Sequence, residues 1–524
     1  SPGNLPDNVW QWIFDPEGEP RMVLTRRHGR VALHRREPGE AGWKQMAEFD
    51  ALDAPYIPRF IDGQGGLYVS APEGPAGVSV LKRFDYETGR PTQVLVSTPG
   101  FDYRGTLLVE TRGAWSAGGG GGFQTTSARG SPFASAAVGD WALGLHLLTD
   151  AESTVWFDAR LAALQAEADK RFPGRVNLLA CRRCGTREMV TLVVSWSDQE
   201  PGQYWLHSSA TGQWRAIGAR RSDIDARRMG TTSFERFKAR DGLEIPVWIT
   251  RPAGAAKAPR PAVLLVHGGP WMRGRSWQWN PMPQFLASRG YVVIEPEFRG
   301  STGFGARHFR AGWKQWGQAM QDDLVDALAW AVREGHADGK RVCIAGGSYG
   351  GYAVLMGLAR HGEQFRCGAA RQRHRPAPVV QVAARFRRRF EDREYSYPLI
   401  GDPVADAACS MPTRRCCWPR ASRRRSSSPT AARTRCRWCT ASACATPSLP
   451  PAGRRSGWST PTRHGWLKLE TRLDFAKRLE GVPGPAPRPV AARWCMPVPG
   501  RVPRGEYDLQ RIIAAAALMA PRMR

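Results

Sequence analysis

Short runs of strand-forming residues alternate with polar turns along the first 230 residues of the chain. In two stretches a strand, a polar turn with glycine and a second strand follow one another, at 78–96 and at 203–217. Such hairpins are typical of the outer strands of a propeller blade, and blades repeat about every 40–50 residues. The pattern predicts an all-β, propeller-like domain over 1–230 with about five blades. An irregular β-sandwich is the alternative.

The pattern changes near Phe234. Apolar, β-branched runs at 262–266 and 291–295 are typical of buried parallel strands, and 341–345 predicts another strand. Helical periodicity is found at 320–333 and 349–360. Strands that alternate with helices favour a doubly wound, mainly parallel sheet, which we place in a second domain over 231–480. The rest, 481–524, is rich in proline and arginine, and we expect a disordered tail there.

Composition supports a globular protein of two domains. The chain has 524 residues, of which 42% are apolar and 21 are tryptophan, values that exclude a disordered, collagen-like or coiled-coil protein. No uninterrupted apolar stretch reaches the roughly 18 residues that a membrane-spanning helix needs, so we expect no membrane partner. The chain begins at Ser1 without a charged and then apolar leader. The location is left open: the protein is cytoplasmic or, if a signal preceded Ser1, periplasmic or secreted.

The net charge of +28 is concentrated in one part of the chain. Residues 371–524 hold 31 Lys and Arg against 10 Asp and Glu, and 371–467 hold 20 Arg but no Lys. A surface that binds nucleic acid usually mixes the two cations within a regular folding pattern, which is missing here. We therefore expect no nucleic-acid partner. A nucleic-acid binder that uses these stretches stays as an alternative, and deleting 407–461 would test it.

The cysteine residues do not indicate a clear functional site. Cys181-Arg182-Arg183-Cys184 is a single CxxC motif without a second pair, so a structural role is favoured over a metal or redox site. Seven of the eleven cysteines lie beyond residue 408, within the arginine-rich part.

The strongest motif is Gly346-x-Ser348-x-Gly350, which lies between a predicted strand and a predicted helix. A serine on such a turn stands above the sheet, and the glycines let strand and helix approach closely. The N–H groups at the start of the helix then face a developing oxyanion. This context favours Ser348 as a nucleophile over a purely structural turn.

Two further motifs fit the same chemistry. His267-Gly268-Gly269-Pro270 follows a predicted buried strand, where small residues leave backbone N–H groups free, although a tight turn alone would explain it. His464 lies on a predicted loop near the end of the chain, before the amphipathic segment 467–479. It fits the order Ser…Asp…His, although a single histidine is more often only a surface residue.

These motifs resemble the prolyl oligopeptidase family, in particular its acylaminoacyl-peptidase and dipeptidyl-aminopeptidase-like branch. The matching segments are 239–246, 267–270, 298–305, 346–352 and 464–465. The resemblance covers about 230–370, with islands at 394–406 and 462–480. It implies an α/β-hydrolase domain capped by a β-propeller. Family propellers usually have seven blades, so it also implies that the start of this one is missing.

The resemblance also implies a function and its residues. The chain would be a serine peptidase that cleaves short peptides, of the oligopeptidase or the aminoacyl- or acylaminoacyl-peptidase type. Ser348 would be the nucleophile and His464 the general base, with the backbone N–H groups of Gly269 and Tyr349 as the oxyanion hole. No metal and no organic cofactor are implied. The residue preferred at the cleaved bond and the oligomeric state are left open.

The triad aspartate is missing from its expected place. Residues 407–463 contain no Asp or Glu and have neither helix nor strand periodicity. With free choice of synonymous codons, 426–446 shifted by one base read Leu-Leu-Leu-Ala-His-Gly-Gly-Ala-Asp-Thr-Leu-Pro-Leu-Val-His-Gly-Ile-Arg-Met-Arg-Asp, a buried strand followed by a glycine turn with an aspartate. The codons of Arg433 and Thr434 span that aspartate. We interpret 371–390 and 407–461 as translated out of frame, with a genuine basic insertion as the alternative.

Other functions stay open at this point. An esterase could use the same fold. A homologue without the triad acid could be catalytically dead and act only by binding. Fluorophosphonate labelling of Ser348 would distinguish such a protein from an active enzyme.

Overall fold

A computed structural model describes residues 5–109, 142–254, 259–371 and 397–401. The predicted out-of-frame segments and the predicted tail lie outside these residues, apart from Arg371 at the end of a strand. The domain boundaries therefore stay predictions.

Four antiparallel sheets follow one another along the first part of the chain. The first contains β1 (Val9–Phe14), β2 (Pro20–Arg27), β3 (Arg30–Arg35) and β4 (Lys44–Asp50). The second contains β5 (Ile57–Ile61), β6 (Leu67–Glu73), β7 (Val78–Asp85) and β8 (Arg90–Val96). The third contains β9 (Gly105–Val109), β10 (Ala142–Leu148) and β11 (Glu152–Trp156), and the fourth β12 (Val176–Arg182), β13 (Val190–Trp196), β14 (Gln203–Ser208) and β15 (Gln213–Ala219).

In each of these sheets every strand pairs with its neighbour in sequence, as in the blades of a propeller. Apolar faces of the first and second sheets pack together through buried side chains such as Leu24, Leu33 and Leu67. The prediction of a propeller-like β region is confirmed. The described residues form four sheets, and since 110–141 lie outside them, the number of about five blades stays a prediction.

An α-helix, α1 (Ala159–Arg171), and a short 3-10 helix at Ala226–Arg228 interrupt the region predicted to be all-β. Asp158 caps α1, because its carboxylate accepts a hydrogen bond from the N–H of Leu161 at 2.9 Å. Leu161, Leu164 and Ala168 lie on its buried side at helical spacing. The signal for this helix is thus present in the sequence.

The second part of the described chain is built on a six-stranded sheet. Its strands are β16 (Thr231–Lys238), β17 (Glu244–Arg251), β18 (Arg260–Val266), β19 (Val292–Pro296), β20 (Ala337–Gly347) and β21 (Cys367–Arg371), in the order β16-β17-β19-β18-β20-β21. The last four strands in that order are parallel, and β16 and β17 join antiparallel at one edge. The prediction of a mainly parallel sheet is confirmed.

Helices cover both faces of this sheet. They are α2 (Pro281–Ala287), α3 (Ala306–Arg310), α4 (Ala319–Arg333) and α5 (Tyr349–Arg360). Leu324 of α4 and Val354 of α5 belong to the larger apolar cluster on one face. Leu286 of α2 packs with Val263 and Val293 in a separate cluster. This is the doubly wound arrangement that the alternating pattern predicts.

Loops of the β region contact loops at the edge of the six-stranded sheet. The N–H of Ala306 donates to the carbonyl of Gly77 at 2.9 Å, and that of Asp102 donates to Gly303 at 2.9 Å. The N–H of Trp277 donates to the carbonyl of Asp150 at 2.7 Å. Within the described ranges, no helix is long and apolar enough to cross a bilayer.

Candidate active site

Ser348 lies on the turn between β20 and α5. Its backbone adopts φ 57° and ψ −119°, a strained conformation for a residue with a side chain. The first hydrogen bond of α5 runs from the N–H of Tyr352 to the carbonyl of Ser348 at 3.1 Å. The side chain is half-buried, and its hydroxyl makes no capping hydrogen bond to α5. The hydroxyl is therefore available to a base or a substrate.

Two glycines make this turn possible. A Cβ placed on Gly346 would lie 2.6 Å from the carbonyl carbon of Gly350, and one on Gly350 would lie 2.1 Å from the carbonyl oxygen of Val266. Real side chains do not tolerate such distances, so glycine at both positions lets α5 start directly against β18 and β20. This is the steric requirement expected of the motif.

The loop after β18 runs beside Ser348. Val266 at the end of β18 is paired with Gly346 in β20, so the two strands end at the same level. A Cβ placed on Gly268 would lie 3.6 Å from the Cβ of Ser348. Gly269 is exposed, with φ 116°. In parallel sheets the loops at the carboxyl ends of the strands commonly form the site.

Both sequence-predicted oxyanion donors occur here. Tyr349 is the first residue of α5, where backbone N–H groups have no acceptor within the helix. Neither its N–H nor that of Gly269 donates to another described residue. The helix dipole adds partial positive charge at the same end. The oxyanion role of these two N–H groups stays a prediction.

His267 is a site residue that sequence reasoning missed. Its Nδ1 lies 2.7 Å from the carbonyl oxygen of Gly268, and since that oxygen can only accept, Nδ1 is the donor. Its Nε2 lies 3.1 Å from Oγ of Ser301, and its ring stacks on Phe298 with centroids 4.4 Å apart. These three contacts fix the orientation of the imidazole, which in turn fixes the carbonyl of Gly268.

Glu297 fixes the far end of the same loop. Its carboxylate is 1% exposed and accepts hydrogen bonds from the N–H groups of Gly274 and Arg275, at 2.8 and 3.1 Å. Trp248 donates to the same carboxylate at 3.2 Å. A buried carboxylate loses its hydration, and these three hydrogen-bond donors compensate for that loss. Nothing in the local sequence pattern indicates this role.

Aromatic side chains form the wall behind the elbow. Tyr349 packs against Phe298 and Trp316, with ring centroids 5.3 and 4.8 Å apart. Burial raises the pKa of the Tyr349 phenol well above its usual value. The side chain of Tyr349 is therefore packed among aromatic rings.

His464 and the positions Arg433 and Thr434 lie outside the described residues. The structure thus brings together Ser348, Tyr349 and the 267–270 loop, while the catalytic roles of these residues, of the base and of the acid all stay predictions. In the ranges described, no group of three or more His, Cys, Asp or Glu side chains is arranged to hold a metal ion.

Comparison with known proteins agrees with these features. Residues 277–386 match the model of the prolyl oligopeptidase family. Dipeptidyl aminopeptidase BIII of Pseudoxanthomonas mexicana is 39% identical over 186 residues, which cover 34% of this chain and 27% of that protein. Dipeptidyl peptidase family member 6 of Caenorhabditis elegans is 32% identical over 203 residues, with the same coverages of 34% and 27%. The chain thus matches about a quarter of the length of these relatives.

Solved structures share the fold. A puromycin hydrolase aligns with a TM-score of 0.51 at 19% identity, over 76% of this chain and 57% of that one. A puromycin-hydrolyzing peptidase of Mycobacterium tuberculosis aligns with the same TM-score and identity, over 74% and 56%. The β-propeller followed by an α/β-hydrolase domain is therefore the fold of this chain. The sequence match makes residues 277–386 similar to the prolyl oligopeptidase family, and the solved structures add the likeness of the fold.

Proposed function

We propose that this protein is a serine peptidase that hydrolyses short peptides through an acyl-enzyme. One observation carries the proposal: Ser348 stands on a strained strand-to-helix turn, beside a loop in which the N–H of Gly269 donates to no other described residue. That combination supports a nucleophile next to an oxyanion hole. The names of the relatives, dipeptidyl aminopeptidase and dipeptidyl peptidase, support peptides as the substrate class.

The proposed reaction has two halves. His464 takes the proton of Ser348 while Oγ attacks the scissile carbonyl, and the N–H groups of Gly269 and Tyr349 stabilise the tetrahedral oxyanion. His464 then gives its proton to the leaving amine. Water attacks the resulting ester in the same way and frees the serine. The β region beside the site supports short peptides over large folded proteins as substrates.

The chain as written should be impaired. Residues 407–463 supply no carboxylate to orient His464, and loss of that charge costs about 10⁴ in turnover in the well-studied serine proteases. We define the frame-restored chain as the protein in which 426–446 carry the shifted reading given above. It should be soluble and active, whereas the chain as written should aggregate and cleave little.

A substrate panel tests this proposal. Both chains are assayed with aminoacyl and acyl-peptide chromogenic substrates, and with matched esters to separate a peptidase from an esterase. We expect peptide cleavage by the frame-restored chain and its loss in Ser348→Ala. Equal peptidase activity in the two chains would show that 407–461 is a genuine insertion and that the acid lies elsewhere. Cleavage of esters alone would replace the peptidase by an esterase.

A further inference from the structure

Cys181 and Cys184 form a disulfide at one end of the fourth sheet of the β region. Cys181 is in β12 and Cys184 is in the turn that leads to β13, with the two Cα atoms 5.3 Å apart. Arg183, between them, adopts φ 55°, which bends the chain back so that the two sulfurs meet. The disulfide therefore closes a turn of four residues and does not connect distant parts of the fold.

The surroundings of this disulfide are accessible and basic. Both cysteines are half-buried, whereas Arg182 and Arg183 are exposed. Nearby, Arg160 donates to the carbonyl of Gly185. Positive charge beside a cysteine stabilises its thiolate, which makes it a better leaving group in thiol–disulfide exchange.

Acidic groups do not cancel this charge completely. Asp158 faces the turn, since a Cβ placed on Gly185 would lie 2.8 Å from its Oδ2. Its other oxygen caps α1 by accepting from the N–H of Leu161. Arg187 and Glu188, both exposed, follow in the same turn and balance each other. The net charge immediately around the disulfide is positive.

The hairpin does not depend on the disulfide for its shape. Seven residue pairs join β12 to β13, including Cys181 with Thr191 and Arg182 with Val190. The side chains of both cysteines pack against the apolar cluster that contains Leu161 and Met189. The sulfur–sulfur bond can therefore open while the ladder and the cluster keep the turn in place.

A second disulfide offers a contrast within the same molecule. Cys343 and Cys367 are directly paired on the adjacent parallel strands β20 and β21. Cys367 is only 3% exposed, and α5 packs over β20 and β21. Cys343 is half-buried, so only one sulfur of this pair is open to a thiolate, whereas both are in Cys181–Cys184.

We propose that Cys181–Cys184 is a thiol–disulfide exchange site whose co-reactant is a small thiol. The thiolate of that molecule bonds to one cysteine sulfur, the Cys181–Cys184 bond breaks, and the other sulfur leaves as a thiolate stabilised by Arg182 and Arg183. A second thiol then attacks the mixed disulfide. In total, two small thiols are oxidised to one disulfide while the two cysteines are reduced and take up the two protons. This activity is separate from the peptidase chemistry and does not require Ser348.

The experiment uses the full-length frame-restored chain, because the chain as written should aggregate, with dithiothreitol as the reductant. The native protein is reduced for increasing times and alkylated, and peptides with each cysteine are quantified by mass spectrometry. We expect Cys181 and Cys184 to be alkylated together and at least tenfold faster than Cys343 and Cys367. Oxidised glutathione should then close the pair again in protein that has not been alkylated.

A charge variant tests the mechanism. In Arg182→Gln/Arg183→Gln the reduction of Cys181–Cys184 should slow by about threefold or more, while the far-ultraviolet circular dichroism stays unchanged. Arg26→Gln/Arg27→Gln, a pair of exposed arginines in the first sheet, is the matched control and should leave the rate unchanged. Alkylation of Cys181 and Cys184 only after denaturation, or at the rate of Cys343 and Cys367, would overturn the proposal. Failure of oxidised glutathione to re-form the Cys181–Cys184 disulfide would also overturn the proposal.

Discussion

The imidazole of His267 holds the carbonyl of Gly268, with Nδ1 and the oxygen 2.7 Å apart. The peptide between Gly268 and Gly269 is planar, so its N–H points away from its carbonyl. Fixing the carbonyl therefore fixes the direction of the Gly269 N–H, the proposed oxyanion donor. Without such a bond, a peptide between two glycines could rotate easily.

This contact predicts a loss of turnover in His267→Ala. In the frame-restored chain, kcat should fall by about 10²-fold, because removing an oxyanion donor typically has an effect of this size. KM should change little, since the donor acts mainly in the transition state. His267→Asn, whose amide can replace the Nδ1 donor, should recover part of kcat. Steady-state kinetics of the three proteins measures this, and equal kcat values would contradict the positioning role.

Gly350→Ala should destabilise the protein. The added Cβ would lie 2.1 Å from the carbonyl oxygen of Val266, so α5 would have to move away from β18. Overpacking of this kind typically costs about 1–3 kcal/mol. Gly218→Ala is the control, because no atom lies within 4 Å of its added Cβ. Urea denaturation of both variants should show a lower midpoint for Gly350→Ala alone; equal midpoints would refute the close approach of helix and strand.

The two carboxylates on Arg299 should differ in their contribution to stability. Asp323 and Asp241 each lie 2.7 Å from this guanidinium, but the side chain of Asp323 is 0% exposed and that of Asp241 is 48% exposed. Breaking a buried pair costs about 3–5 kcal/mol, whereas an exposed one contributes about 0–1 kcal/mol. Asp323→Asn should therefore lower the free energy of unfolding far more than Asp241→Asn. Denaturation curves that give similar losses would contradict this difference.

Stability should fall in mild acid because of His308. Burial lowers the pKa of this histidine from 6.5 to about 4, while its Nε2 donates to the carbonyl of Phe298 at 3.1 Å. The unfolded chain binds the proton more tightly, so this stabilisation is complete above about pH 6.5 and is lost as the pH falls towards 4. The loss should reach at most about 3 kcal/mol.

His308→Gln isolates this effect, since Gln keeps a donor but does not titrate. Between pH 7 and 4 the variant should lose less unfolding free energy than the parent chain, as measured by urea denaturation at each pH. Parallel curves for the two proteins would contradict the assignment to His308.

Much of the fold could be predicted because it depends on local periodicity. The helix predicted at 349–360 is α5 with the same bounds, and the strand predicted at 262–266 is β18, which starts two residues earlier. α1 was missed although Leu161, Leu164 and Ala168 have helical spacing. α1 stands alone between strand-forming runs, so its local periodicity differs from the β pattern on both sides.

The site was predictable only in part. Ser348, Gly346 and Gly350 could be predicted, because their motif reflects the steric requirement of a tight strand-to-helix turn. The structure contains that turn. The hydrogen bond from His267 to Gly268 depends on the orientation of a single peptide. The hydrogen bonds from the 274–275 N–H groups to Glu297 depend on tertiary packing. No pattern of apolar and polar residues encodes such contacts.

Covalent labelling of Ser348 is the most direct test of the proposed mechanism. The frame-restored chain and its Ser348→Ala variant are treated with a fluorophosphonate, and the modified residue is identified by peptide mass mapping. We predict one adduct per chain, on Ser348, with none in the variant and simultaneous loss of peptidase activity. An adduct on another serine, or full peptidase activity in Ser348→Ala, would show that the nucleophile lies elsewhere.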